Sequence, residues 1–152
     1  MPKMRRHDRE TGAEKAWEIL ENAEYMTLSM MGAEGVPYGV TLSFARVESA
    51  LYFHCANAGY KLDSLRKNPA VCVNAVRQQR TRAEEFTVAF ESAVAFGTAF
   101  EVTEQAEKER GLLAICKKYA PENPGAAAYI AQYPQVSVWR IDVREISGKI
   151  HD

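Results

Sequence analysis

What most constrains this chain is the order of its two-residue periodic segments and the short turns between them. Glu24-Tyr25-Met26-Thr27-Leu28-Ser29-Met30 alternates polar and apolar side chains, which predicts a half-buried strand. Gly32 and the Glu34-Gly35 pair turn the chain. A second strand is predicted over Val36–Arg46, with Pro37 at its beginning or on an edge. Glu48-Ser49 supplies the next turn, before the aromatic strand Leu51-Tyr52-Phe53-His54-Cys55. Ala70–Val76, Phe86–Val102 and Val136–Ile146 read as three more strands, with Gly97 at a bend or bulge of the longest. Hairpin-length connections make the first three antiparallel neighbours. A doubly wound parallel sheet needs a helix after almost every strand, and this order does not supply one. The expected fold is mainly β, a six-stranded antiparallel barrel with peripheral α-helices.

The helices come from a change of period. Ala16, Ile19, Leu20 and Ala23 recur at helical intervals behind Thr11 and Glu14, which have capping-box spacing. Lys61–Lys67 predicts a short helix stopped by Asn68-Pro69. Thr103 is the expected cap of a longer helix whose Ala106, Leu112, Leu113, Cys116 and Tyr119 share one face. Pro121, Pro124 and Gly125 end it, and Ala126–Gln132 forms a turn or short helix. Gln78–Glu85 is charged and aperiodic, and is expected to be a mobile loop. With 152 residues the chain has room for one domain, 1–152, of which 1–11 is an N-terminal arm.

Several function classes are unsupported. Nineteen basic against 20 acidic residues leave a net charge of −1, without the basic excess of a nucleic-acid binder. The basic run Lys3, Arg5, Arg6, His7, Arg9 reads as a solvated tail. Cys55, Cys72 and Cys116 are odd in number and far apart, so a disulfide framework or zinc knuckle is not expected. No apolar run approaches the length of a membrane span or signal peptide, so the expected location is cytoplasmic. The nucleophile elbow, the dinucleotide fingerprint and the P-loop are missing, and His7, His54 and His151 lack metalloprotease spacing, so no metal site is expected.

The stretch Leu51–Pro69 carries more. An aromatic strand ends in His54-Cys55, Asn57-Ala58-Gly59 turns, and Lys61 opens a helix. Free N–H groups at a helix start favour an anion, and a lysine adds a point charge, so phosphate is the natural guest. A solvated Lys61 accounts for the same residues equally well. His54 alone reads as a hydrogen-bonded barrel histidine, and Cys55 as a small buried hydrophobe.

This strand, loop, lysine and helix, ending in Arg66-Lys67-Asn68-Pro69, resembles the FMN-phosphate segment of the 5-nitroimidazole-resistance flavoproteins, within the pyridoxamine 5'-phosphate oxidase-like split-barrel superfamily. Met4–Glu10, Gly35-Val36-Pro37-Tyr38-Gly39-Val40-Thr41 and Phe90–Gly97 resemble that group too, in order, from Met4 to about Gly148. The resemblance implies a split barrel acting as a homodimer, with FMN at the subunit interface. Lys61 would contact the FMN phosphate. Val40, Thr41 and Leu42 would line the flavin ring, His54 and Cys55 would face the ribityl chain or the ring, and Ser92 would reach the flavin from the partner subunit. Trp139 would form an aromatic wall, and His54 is the candidate catalytic acid. Many relatives carry a second basic residue just before the lysine, where this chain has Tyr60; Arg66 or Lys67 is the expected compensation. The implied function is an FMN-dependent oxidoreductase acting on a small nitroaromatic- or quinone-type molecule. The alternatives are a non-catalytic flavin binder and a haem-binding split barrel with His54 as axial ligand.

Overall fold

A computed structural model describes residues 1–132 and 135–152. The chain forms strands β1 (Glu10–Thr11), β2 (Met26–Met31), β3 (Pro37–Leu42), β4 (Ala45–Val47), β5 (Ala50–Cys55), β6 (Ala70–Arg82), β7 (Thr87–Glu101) and β8 (Ser137–His151). Its helices are α1 (Ala13–Glu21), α2 (Tyr60–Lys67), α3 (Gln105–Tyr119) and α4 (Ala126–Gln132). All strand pairs are antiparallel, in the order β3-β2-β6-β7-β8-β5-β4, with β1 added to β8.

The six predicted strands are all present, and two very short ones raise the total to eight among the described residues. Strand β1 has two residues and β4 three, too few to show a period. The segment expected as one strand over Val36–Arg46 is broken at Ser43-Phe44, where Phe44 turns inward and is fully buried. Its N–H donates to the Tyr119 hydroxyl at 3.1 Å, so a side chain on α3 replaces the ladder partner lost at the break.

Residues 78–82 are not a loop. They continue β6 opposite β7, after a register irregularity between Arg77 and Arg80. Pairing with Thr87, Val88 and Ala89 orders a segment whose own composition has no strand period. Neither expected threonine cap forms. Thr11 lies in β1, Gly12 precedes α1, and Glu104 precedes α3, with no side-chain capping bond at either helix. Gly97 does mark an irregularity, between Phe96 and Gly97 in the β7–β8 register, and Pro37 opens edge strand β3.

The sheet curls around one core. Met26, Leu28, Leu51, Phe53, Val73, Ala93, Ala95, Trp139 and Ile141 point inward, and Ile19 and Leu20 of α1 join them. Alternate residues therefore face outward. Helix α2 packs on the β2–β3 turn: the Ala33 N–H donates to Ser64 Oγ at 2.9 Å and the Lys67 ammonium to the Ala33 carbonyl at 2.7 Å. Helix α3 lies outside the barrel against β4 and β5. Among the described residues no helix is long and apolar enough to cross a membrane, and no three metal-ligating side chains cluster. All three cysteines are free and half-buried.

Candidate functional site

Strand β5 ends at Cys55, and the chain turns through 56–59 into α2. Gly59 has φ of 141°, a backbone conformation that a side chain at this position would strain. Lys61 then projects from the first turn of α2, half-buried, with its ammonium 5.7 Å from the centre of the Phe53 ring. Among the described residues no carboxylate pairs with it. The two cations expected to assist it are committed elsewhere. Arg66 is ion-paired with Glu101 at 3.0 Å, and Lys67 is bound to the Ala33 carbonyl. Tyr60 makes an edge-on contact with Tyr38 of β3, ring centres 4.9 Å apart. Lys61 is thus the available cation at this helix start.

His54 and Cys55 do not share a face. Consecutive strand residues point to opposite sides, and the pattern here is clear. Cys55, like Phe53, packs toward the barrel core. His54 points outward and lines a cavity with Leu112, Ile115 and Cys116 of α3 and Ile130 of α4. Crowding around the His54 ring, and then the charge of Lys61, push its pKa below the usual imidazole value, so the neutral ring is favoured. Burial raises the Cys55 thiol, against a smaller opposing pull from Lys61 and Ser137. A thiol held protonated is a poor nucleophile, which agrees with Cys55 as a packing residue.

The same alternation divides β3. Val40 and Leu42 pack against the core, whereas Thr41 is exposed on the outer face. Among the described residues strand β3 pairs with β2 alone, so its other edge keeps backbone donors and acceptors without a ladder partner there. Trp139 is not a wall of any surface site. It is 2% exposed, parallel to Phe53 at 6.5 Å, and its indole N–H donates to Ser137 Oγ at 3.0 Å. Its place opposite Phe53 in the β5–β8 register puts it inside.

Ser92 lies on the outer face of β7, between Val76 and Lys149. Glu101, which is ion-paired to α2, stands nine residues further along the same strand, up to about 30 Å at an ordinary strand rise. One protomer therefore does not bring Ser92 to Lys61. Around Ser92 the register groups Thr27, Ser29, Thr41, Cys72, Asn74, Val76, Val94 and Phe96 on one outward face, uncharged across β2, β3, β6 and β7 and bordered on β8 by Lys149 and Glu145. Single residues gave no hint of this patch, because it depends on which strands are neighbours.

The sequence is matched by the family model of pyridoxamine 5'-phosphate oxidase over residues 12–150. Solved structures share the fold. A candidate 5-nitroimidazole antibiotic resistance protein from Bacteroides thetaiotaomicron is 22% identical at a TM-score of 0.77, covering 91% of this chain and 84% of the other. An FAD-binding protein from Mesorhizobium loti is 22% identical at 0.72, with coverages of 95% and 98%. The flavocytochrome Anf3 from Azotobacter vinelandii is 21% identical at 0.78, with coverages of 99% and 72%. No functionally curated protein matches the sequence. With the model spanning nearly the whole barrel and these structures superposing on it, the chain belongs to the pyridoxamine 5'-phosphate oxidase family.

Proposed function

We propose that the chain is an FMN-binding homodimeric flavoprotein, an oxidoreductase for small uncharged acceptors of the nitroaromatic or quinone type. The observation that carries this reading is Lys61, a half-buried residue at the first turn of α2 whose ammonium has no carboxylate partner among the described residues. A terminal phosphate is the group that such a lysine and the adjoining helix N–H groups would hold together. The free edge of β3 offers backbone donors and acceptors to the polar rim of a flavin, with Thr41 beside it. The uncharged outer face of β2, β3, β6 and β7 supports pairing with a second copy, which would carry Ser92 to the partner's flavin. FMN is preferred to FAD because Lys61 at a helix start suits a single terminal phosphate.

A bound flavin supplies the electron-transfer chemistry, and the polypeptide's part is to hold and orient it. His54, neutral at pH 7, can present a ring N–H to an oxygen that becomes basic on reduction. Haem ligated by His54 is less well supported, because the cavity that this imidazole lines measures only about 70 Å³.

The test is Lys61→Ala. One charge-assisted hydrogen bond contributes about 1.5–3 kcal/mol, so FMN should bind roughly ten- to a hundredfold more weakly. Riboflavin, which lacks the phosphate, should bind both proteins alike. Fluorescence titration of apoprotein measures both ligands, and a thermal melt checks the fold. Equal FMN affinity in mutant and wild type would remove Lys61 from the phosphate site. Turnover with an electron donor then separates a reductase from a passive flavin binder.

A further inference from the structure

Helix α3 is fastened to the sheet at both ends. In its first half, Gly111 lies against Tyr52 so closely that an added Cβ would come within 2.7 Å of the ring. The Tyr52 hydroxyl donates to Glu107 at 2.9 Å, and Arg140 meets the same carboxylate at 2.6 Å. At its C-terminal end the Tyr119 hydroxyl donates to the Glu24 carbonyl and accepts from the Phe44 N–H. Between these fastenings the helix leaves a gap over the end of β5. His54, Leu112, Ile115, Cys116 and Ile130 border this cavity of about 70 Å³. Cys116 and Tyr129 also border an outer cleft of about 310 Å³, walled by Ala120, Ala126 and Asn123. The two spaces therefore adjoin, and together they reach the lower end of the range for small-molecule pockets.

We propose that the cavity and its cleft form a binding site for a small uncharged ring compound with one hydrogen-bonding substituent, which meets His54 at the inner end. Among the described residues no charged side chain lines either space, so an ionic ligand would lose its hydration without a counter-charge. The inner walls are aliphatic apart from His54, Cys116 and Tyr129, which favours a compact apolar body. A neutral imidazole offers one N–H and one lone pair, so the substituent can accept or donate. Because the ends of α3 are fixed independently of the gap, that wall of the pocket is pre-formed. The pocket lies on the opposite face of β5 from Cys55.

The experiment uses the full chain as purified, with its isoleucine methyl groups labelled for NMR. Phenol is the probe, and toluene is the matched control without the hydroxyl. Ile115 and Ile130 border the cavity, whereas Ile19 and Ile141 sit in the barrel core. Phenol should shift the Ile115 and Ile130 signals together and saturably, leaving Ile19 and Ile141 in place. It should bind about three- to tenfold more tightly than toluene, the yield of one neutral hydrogen bond. His54→Leu should abolish that preference and leave toluene binding intact. Ile115→Trp, which fills the gap, should abolish the response at Ile130. Shifts at none of the four isoleucines, equal shifts at all of them, or a phenol preference that survives His54→Leu would overturn the proposal. Flavin content, read from the visible spectrum of the same samples, is a separate outcome, so failure here is distinguishable from failure of the FMN reading.

Discussion

Replacing Lys118 by methionine should stabilise this protein at neutral pH, and the gain should disappear as the solution is made alkaline. The Lys118 ammonium is buried without a hydrogen-bond acceptor among the described residues, 3.6 Å over the Phe44 ring. Burial pushes its pKa down from 10.5 to about 8, against a smaller opposing pull from Glu21. At about 1.4 kcal/mol per decade, that drop corresponds to roughly 3 kcal/mol for keeping the charged form. The ring's attraction for the cation offsets about 0.5–2 kcal/mol of this. Partial solvent access screens more. A net cost on the order of 1–2 kcal/mol remains below pH 8. Between about pH 8 and 10.5 the unfolded chain binds the proton and the folded one does not, so wild-type stability rises with pH across that window. Methionine keeps the length and apolar packing without a charge. Lys118→Met should therefore gain about 1–2 kcal/mol at pH 7, and the difference should shrink steadily toward pH 10. Urea unfolding at pH 7 and 9.5 measures it. A variant less stable than wild type at pH 7, or a difference that ignores pH, would refute the reasoning.

Two further predictions concern the sheet. Gly97→Ala should cost about 2–4 kcal/mol, because the new Cβ would overlap the Asp142 carbonyl oxygen and reach within 3.0 Å of its carbon; a loss below 0.5 kcal/mol in urea unfolding would contradict this. Val76→Glu places a charge on the uncharged outer face at a residue 50% exposed. The domain should fold normally while light scattering shows monomer and flavin content falls. A dimer indifferent to the change would mean that another face pairs.

The sequence alone was enough for the mainly β antiparallel architecture, because a period of two records directly which side chains face a core. Glycine and proline marked Pro37 as a strand start and Gly97 as an irregularity for equally local reasons. Position along the chain likewise put Lys61 at a helix start after a glycine turn. Strands shorter than one period, β1 and β4, left no signal, and the 78–82 extension of β6 exists because β7 lies beside it. Sharing a strand end made His54 and Cys55 look like partners, but the pleat sends them to opposite faces. Only tertiary packing decided that Trp139 is internal, that Glu101 engages Arg66, and that His54 faces α3 and α4. Each of these depends on which residues distant in sequence become neighbours, and periodicity and local spacing carry no record of that.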